Sequence, residues 1–190
     1  MPLIRISVRQ SKIAIDPARI QKTARKILSG LGCIDAELSI AIVNDRRMRQ
    51  LNREYRNVDR ATDVLAFPMA EGEFGDICPD LLGDVVISAA TAFQISQQQG
   101  CPLAAVLDLL LIHGILHLTG HDHETGPGEA RAMARETSRL LRLLGHAEDA
   151  YTWCPRELGA SYWDDMARVH AQSPHAFAGI GRPGRQPASG

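Results

Sequence analysis

The 190-residue chain has no CxxC pair and no long hydrophobic run, and only 5% of its residues are aromatic. Its four cysteines, Cys33, Cys78, Cys101 and Cys154, stand far apart, which excludes a zinc ribbon or a disulfide scaffold and leads us to expect reduced thiols in a cytoplasmic protein. The opening MPLIRISVRQ is interrupted by Arg5 and Arg9, so neither a secretory signal nor a transit peptide is expected there. The most apolar stretch, Leu103 to Leu118, is too short for a bilayer and contains Asp108, His113 and His117. It predicts a buried core helix, with no membrane partner. An excess of charge is missing too: 21 Lys+Arg face 22 Asp+Glu, for a net of −1, while 45% of residues are hydrophobic. That composition belongs to a folded globular chain and excludes wholesale disorder.

The near-neutral total conceals a segregation. Residues 1–60 carry 13 Lys+Arg and 6 Asp+Glu, a net of +7, whereas residues 61–130 carry no Lys or Arg and 10 Asp+Glu, a net of −10. Residues 131–190 add 8 basic and 6 acidic side chains, a net of +2. A basic first third suits phosphate and an acidic, histidine-rich middle suits a cation, so the balance does not exclude nucleic acid.

Apolar residues alternate with polar or small ones at Ile4, Ile6 and Val8 and at Leu38, Ile40 and Ile42, which predicts two half-buried strands. Between them Asp16-Pro17 reads as a helix start, and Gly30 and Gly32 as its end. Asn44 and Asp45 offer a cap for a second helix with Met48, Leu51 and Tyr55 inward, followed by short apolar runs at Val64 to Phe67 and Val85 to Ile87 that predict strands. Ser88 then caps a helix closing near Gly100, Pro102 opens the apolar helix, and a last amphipathic helix stops at Gly145. The expected fold is α+β, a small mixed four-stranded sheet packed with about five helices. One domain is expected over residues 1–147, with a C-terminal extension at 148–190 whose last fifteen or so residues are too rich in Gly, Pro and Ser to build a core.

Four of the seven histidines fall between His113 and His123. At about 100° per residue, His113 and His117 share one helix face, and Gly120 lets the chain turn back so that a third imidazole can reach the same ion. Three neutral nitrogens with a fourth position open are the ligand set of a catalytic zinc, and a metal satisfies imidazoles that would otherwise be buried at a cost. His121 and His123 are both near enough to be the third ligand, and spacing favours His123; Asp122 could hold a ligand's tautomer. HxxxHxxGxxH is also the ligand spacing of the metzincin proteases. There the residue after the first histidine is a catalytic glutamate, and here it is Gly114, so the spacing supports the metal and argues against the peptidase.

Three segments together resemble the YbeY family, bacterial zinc-dependent endoribonucleases of ribosomal RNA maturation. His113 to His123 looks like the family's HGxLHLxGxDH signature. The second segment is Leu51-Asn52-Arg53-Glu54-Tyr55-Arg56 with Asp59, Thr62-Asp63-Val64-Leu65 and Phe67-Pro68, and the third is Leu82 to Ser88. The likeness covers residues 1 to about 147. It implies zinc on His113, His117 and His123, a functional arginine at Arg56, and a small mixed sheet against the metal helix. It also implies single-stranded RNA as substrate, maturation of the 16S rRNA 3′ end, ribosome quality control, and partners in the small ribosomal subunit or its assembly factors. His121 stands where the family usually has an aromatic residue, Ala61 replaces a usual proline and Ala66 a usual serine.

The residues support this chemistry independently. The predicted helix Asp45 to Arg56 bears Arg46, Arg47, Arg49, Arg53 and Arg56, and guanidinium forks match phosphate oxygens, so Arg46, Arg49 and Arg53 are expected to bind substrate. A three-histidine zinc brings the pKa of its water from 15.7 to about 7, which makes a strong protein base unnecessary for attack on the phosphodiester. Arg56 would stabilise charge on the phosphoryl group, an effect of about 2.7–4 kcal/mol by analogy with one oxyanion-hole donor. His113 then belongs to the catalytic centre as a metal ligand. Asp63 and Asp84 read as strand-end carboxylates. Two rival readings are a metallopeptidase, and a non-catalytic ribosome-assembly factor whose zinc is structural.

Overall fold

Successive residues of a strand point to opposite sides of its sheet, and in this chain the first two strands are apolar chiefly on one side while the third is apolar on both. The computed structural model describes residues 1–69, 80–121 and 126–146. In order these form β1 (Leu3–Val8), α1 (Pro17–Gly30), β2 (Glu37–Val43), α2 (Asp45–Arg56), β3 (Val64–Pro68), β4 (Leu81–Ser88), α3 (Ala89–Gln99), α4 (Leu103–Leu118) and α5 (Pro127–Leu144). The sheet order is β1-β2-β4-β3. β1 and β4 both run parallel to β2, and β3 pairs antiparallel with β4. This is the expected α+β fold with a mixed four-stranded sheet and five helices.

The helix starts follow local chemistry. Asp16 accepts from the backbone N–H groups of Ala18 and Arg19, with Pro17 in the first turn. Asn44 accepts from Arg47 N–H, and Ser88 from Thr91 N–H. Each such cap satisfies a donor that the helix leaves unpaired. β4 is longer than the run Val85–Ile87 predicts, because Leu81 to Asp84 also pair across the sheet. Gly83 makes this possible. Its φ is 133°, and a Cβ there would stand 2.1 Å from the Phe67 carbonyl oxygen, so only glycine lets β3 approach β4 at this point.

Strand alternation divides the core. Val64, Ala66, Val85 and Ile87 face the larger cluster, which contains the inner faces of α1, α4 and α5. Leu65, Phe67 and Val86 face a smaller cluster closed by Met48 and Leu51 of α2, with the Tyr55 ring edge-on to Phe67 at 5.2 Å. α4 and α2 therefore cover opposite faces of one sheet. Being covered on both sides is why β3 is a nearly continuous apolar run instead of an alternating one.

α4 is the central element: every residue from Ala105 to Leu116 is buried. Its one buried carboxylate, Asp108, accepts two hydrogen bonds from Arg19 Nη1 of α1, at 2.9 and 3.0 Å, and its Oδ2 lies 2.9 Å from His146 Nε2 just beyond α5. Three helices are joined at this point. The predicted extension at 148–190 lies outside the described residues, and no helix among the described residues is long and apolar enough to cross a membrane.

Candidate active site

The apolar helix positions its histidines by the i, i+4 rule. His113 and His117 stack on one face with ring centroids 4.5 Å apart and planes at 82°, and their Nε2 atoms are 3.0 Å from each other. His113 is buried and His117 half-buried. If both imidazoles carry their proton on Nδ1, two lone pairs face each other across 3.0 Å, an arrangement that a shared cation relieves. The donor type and the convergence of the two nitrogens fit a metal of nitrogen preference such as zinc.

Gly114 is explained by the same packing. A Cβ at this position would lie 2.7 Å from Val85 Cγ1, 3.1 Å from Val85 Cγ2 and 3.4 Å from Val64 Cγ2. The residue after the first histidine thus points into the sheet. The close approach of α4 leaves no room for a glutamate there, so the missing carboxylate is a consequence of the fold.

His121 is held elsewhere. Its backbone N–H donates to Leu116 O at 3.0 Å, and its ring Nδ1 lies 3.2 Å from Thr119 Oγ1, which itself bonds the carbonyls of Ile115 and Leu116. The ring also lies near Glu136 of α5, whose carboxyl is held below the usual range chiefly by hydrogen bonds from Arg139, with His121 a smaller contributor. Among the described residues no three His, Cys, Asp or Glu side chains gather closely enough to hold an ion. His121 therefore does not join the pair; His123 and Asp122 lie outside the described residues.

On the other face of the sheet, Arg46, Arg49, Arg53 and Arg56 recur along α2 at intervals of three, four and three, forming one basic stripe. Arg46, Arg49 and Arg53 are exposed and Arg56 is half-buried. Arg56 ends the helix beside Tyr55, the residue packed on Phe67 of edge strand β3. The structure thus brings His113 and His117 together on α4, and it gathers Arg46, Arg49 and Arg53 separately on α2.

Sequence reasoning overlooked what faces those arginines. Asn57 adopts the left-handed conformation at φ 56°, the Val58 N–H donates to Asn52 O, and buried Asn52 Nδ2 donates to Arg60 O at 2.8 Å. This pinned reversal sets Asp59 against Arg49, which donates from Nε at 2.8 Å and Nη2 at 2.6 Å; Arg53 Nη1 is 3.9 Å away. The Asp59 carboxyl is held below the usual range, first by the Arg49 hydrogen bonds and also by the Arg49 and Arg53 charges. An asparagine just past the helix, a residue type that tolerates the left-handed conformation there, and a carboxylate two residues later were the available signal. Asp63 is buried at the mouth of β3, where its Oδ1 accepts from Val64 N–H at 2.8 Å and Thr62 Oγ1 at 3.1 Å, a strand-end role.

Comparison with known proteins places this geometry in context. Residues 5–145 match the family model described as Endoribonuclease YbeY. A protein named Endoribonuclease YbeY from Geobacter metallireducens is 46% identical over 142 residues, 74% of this chain and 95% of the relative. Its namesake from Aquifex aeolicus is 44% identical over 75% of this chain and 93% of its own length. A solution structure of a Thermotoga maritima protein shares the fold, with a TM-score of 0.52 at 20% identity, covering 90% of this chain and 98% of that one. With its histidine helix docked on a mixed sheet and its sequence aligned along nearly the whole length of these relatives, the chain belongs to the YbeY endoribonuclease family.

Proposed function

We propose that the protein is a single-strand-specific, zinc-dependent endoribonuclease of the cytoplasm, acting in 16S rRNA 3′-end maturation and ribosome quality control. The observation that carries this reading is the convergence of the His113 and His117 Nε2 atoms on a helix whose next residue has no room for a carboxylate base. His113, His117 and His123 would hold the metal. When bound, such an ion supplies water acidified to near neutrality and polarises a phosphoryl oxygen, which fits a site without a glutamate base. The chain's own residues do the rest. His113 and His117 present neutral nitrogens from a rigid buried helix, Arg56 stabilises charge at the reacting phosphate from the end of α2, and Arg46, Arg49 and Arg53 bind flanking phosphates. Residues 1–147 are the catalytic unit, and the small ribosomal subunit or its assembly factors are the partners.

Metal analysis paired with cleavage of a single-stranded RNA, on wild type and on Arg56→Ala, tests this. Expected are one zinc per chain in both proteins, cleavage by the wild type, and a loss of roughly 10²-fold or more in the variant. Unchanged cleavage in Arg56→Ala would remove that residue from the mechanism. Peptide cleavage without RNA cleavage would replace the reading with a metallopeptidase. Zinc loss accompanied by unfolding in His113→Ala, together with no RNA cleavage by the wild type, would favour a structural zinc in an assembly factor.

A further inference from the structure

Arg46, Arg49 and Arg53 of α2 line a groove of about 470 Å³ together with Gln50 and Asp59. We propose that Asp59 is a built-in counter-ion that occupies this groove until the backbone of single-stranded RNA displaces it, so that the groove is a docking site for phosphates other than the one being cleaved. The inference rests on the RNA reading above and adds a site and a selecting residue to it.

The geometry of the pair is that of a phosphate contact. Asp59 presents two oxygens to Nε and Nη2 of Arg49, at 2.8 and 2.6 Å, the same planar fork that a guanidinium offers to a phosphodiester. Asp59 is not needed to shape the turn that carries it, because that turn is already pinned through buried Asn52 to Arg60 and Val58. The Arg49 and Asp59 side chains are 58% and 50% exposed, so the pair is wet and screened, and exchange for another anion costs little. Arg46 has no hydrogen-bonded or ionic partner among the described residues, and Arg53 reaches Asp59 only at 3.9 Å. A lone small anion must compete with Asp59 at Arg49 for a single site. A chain of phosphates can hold Arg46 and Arg53 while it exchanges at Arg49, and so is favoured over small anions. The groove belongs to α2 and the His113–His117 pair to α4, helices that cover opposite faces of the sheet, so phosphates docked here are other than the one at the histidines.

Fluorescence anisotropy of a labelled single-stranded oligoribonucleotide tests the proposal, using the full zinc-loaded chain as wild type, Asp59→Asn, Arg49→Ala and the double variant across a salt series. Asp59→Asn should bind about fivefold tighter at low salt, with the slope of log affinity against log salt steeper by about 0.7. The gain should vanish in the Arg49→Ala background, and inorganic phosphate should compete better against RNA on Asp59→Asn than on wild type. Equal or weaker binding by Asp59→Asn, or a gain that persists without Arg49, overturns the proposal. Asp59→Ser repeats the test without an amide. A wild type that cleaves RNA while Asp59→Asn binds no tighter defeats this proposal alone, whereas a wild type that neither binds nor cleaves RNA defeats the underlying reading as well.

Discussion

Gly114→Ala sets helix propensity against packing, and the structure decides which wins. Replacing a mid-helix glycine by alanine ordinarily stabilises a helix by about 0.8–1.0 kcal/mol. Here the new Cβ would stand 2.7 Å from Val85 Cγ1 and 3.1 Å from Cγ2, and both Val85 and the helix are buried. Val85 lies on a central strand paired with both β2 and β3, so it cannot retreat without moving the sheet. Overpacking of a tight core costs about 1–3 kcal/mol, which leaves a net loss of about 0–2 kcal/mol after the propensity gain. Removing the obstruction separates the two terms. In a Val85→Ala background the same substitution should be neutral or stabilising, with a coupling of about 1 kcal/mol or more between the sites. Urea denaturation at fixed zinc concentration, with unchanged m-values, measures the cycle. A Gly114→Ala protein more stable than wild type, with no coupling to Val85, would show that α4 does not dock this closely. The steric account of the missing glutamate would fall with it.

Further expectations concern charge and metal. His113→Ala and His117→Ala should each lose most bound zinc, since one nitrogen of a converging pair is removed; full zinc retention in either would refute the proposed ligand set. Asp108→Ala should destabilise the protein by about 2–3 kcal/mol, below the 3–5 typical of breaking a fully buried pair because Arg19 is one-third exposed and can turn to water; a loss under 0.5 kcal/mol in urea melts would remove it as a tie between helices. Asp59 has its folded-state pKa lowered by Arg49, so the pair's contribution is complete above the ordinary carboxylate value and is lost as pH falls through the lowered one. Carboxyl-carbon NMR should accordingly show the Asp59 midpoint rising in Arg49→Ala, and an unmoved midpoint would disprove the pairing.

Local signals in this chain carried the fold a long way. Asp16-Pro17, Asn44 and Ser88 act as helix starts because each supplies an acceptor within reach of the first free N–H groups, a property of two or three neighbouring residues. The histidine spacing was legible for the same reason, since one turn of helix suffices to bring His113 and His117 to 3.0 Å. Contacts between segments distant in the sequence were not legible. The bond from Arg19 to Asp108 spans 89 residues, and nothing near either residue announces it. β4 reads too short from its apolar run because Gly83 and Asp84 are held in the strand by pairing with both β2 and β3, not by an apolar side chain.

Gly114 shows how the two kinds of information meet. Taken from the sequence, it is a departure from a protease signature; taken from the structure, it is the point where the histidine helix lies against a central strand. The same close packing buries His113 and removes room for a side-chain base beside it. Under the proposed reading such a site draws its nucleophile's acidity from a bound metal and its charge stabilisation from another element, and α2 carries a basic stripe. That stripe runs along α2, which covers the sheet face opposite α4, and Arg56 is its one half-buried member. The arginines divide by exposure, Arg56 half-buried and Arg46, Arg49 and Arg53 exposed, and the proposed reading gives the first to the reacting phosphate and the others to the rest of the polymer.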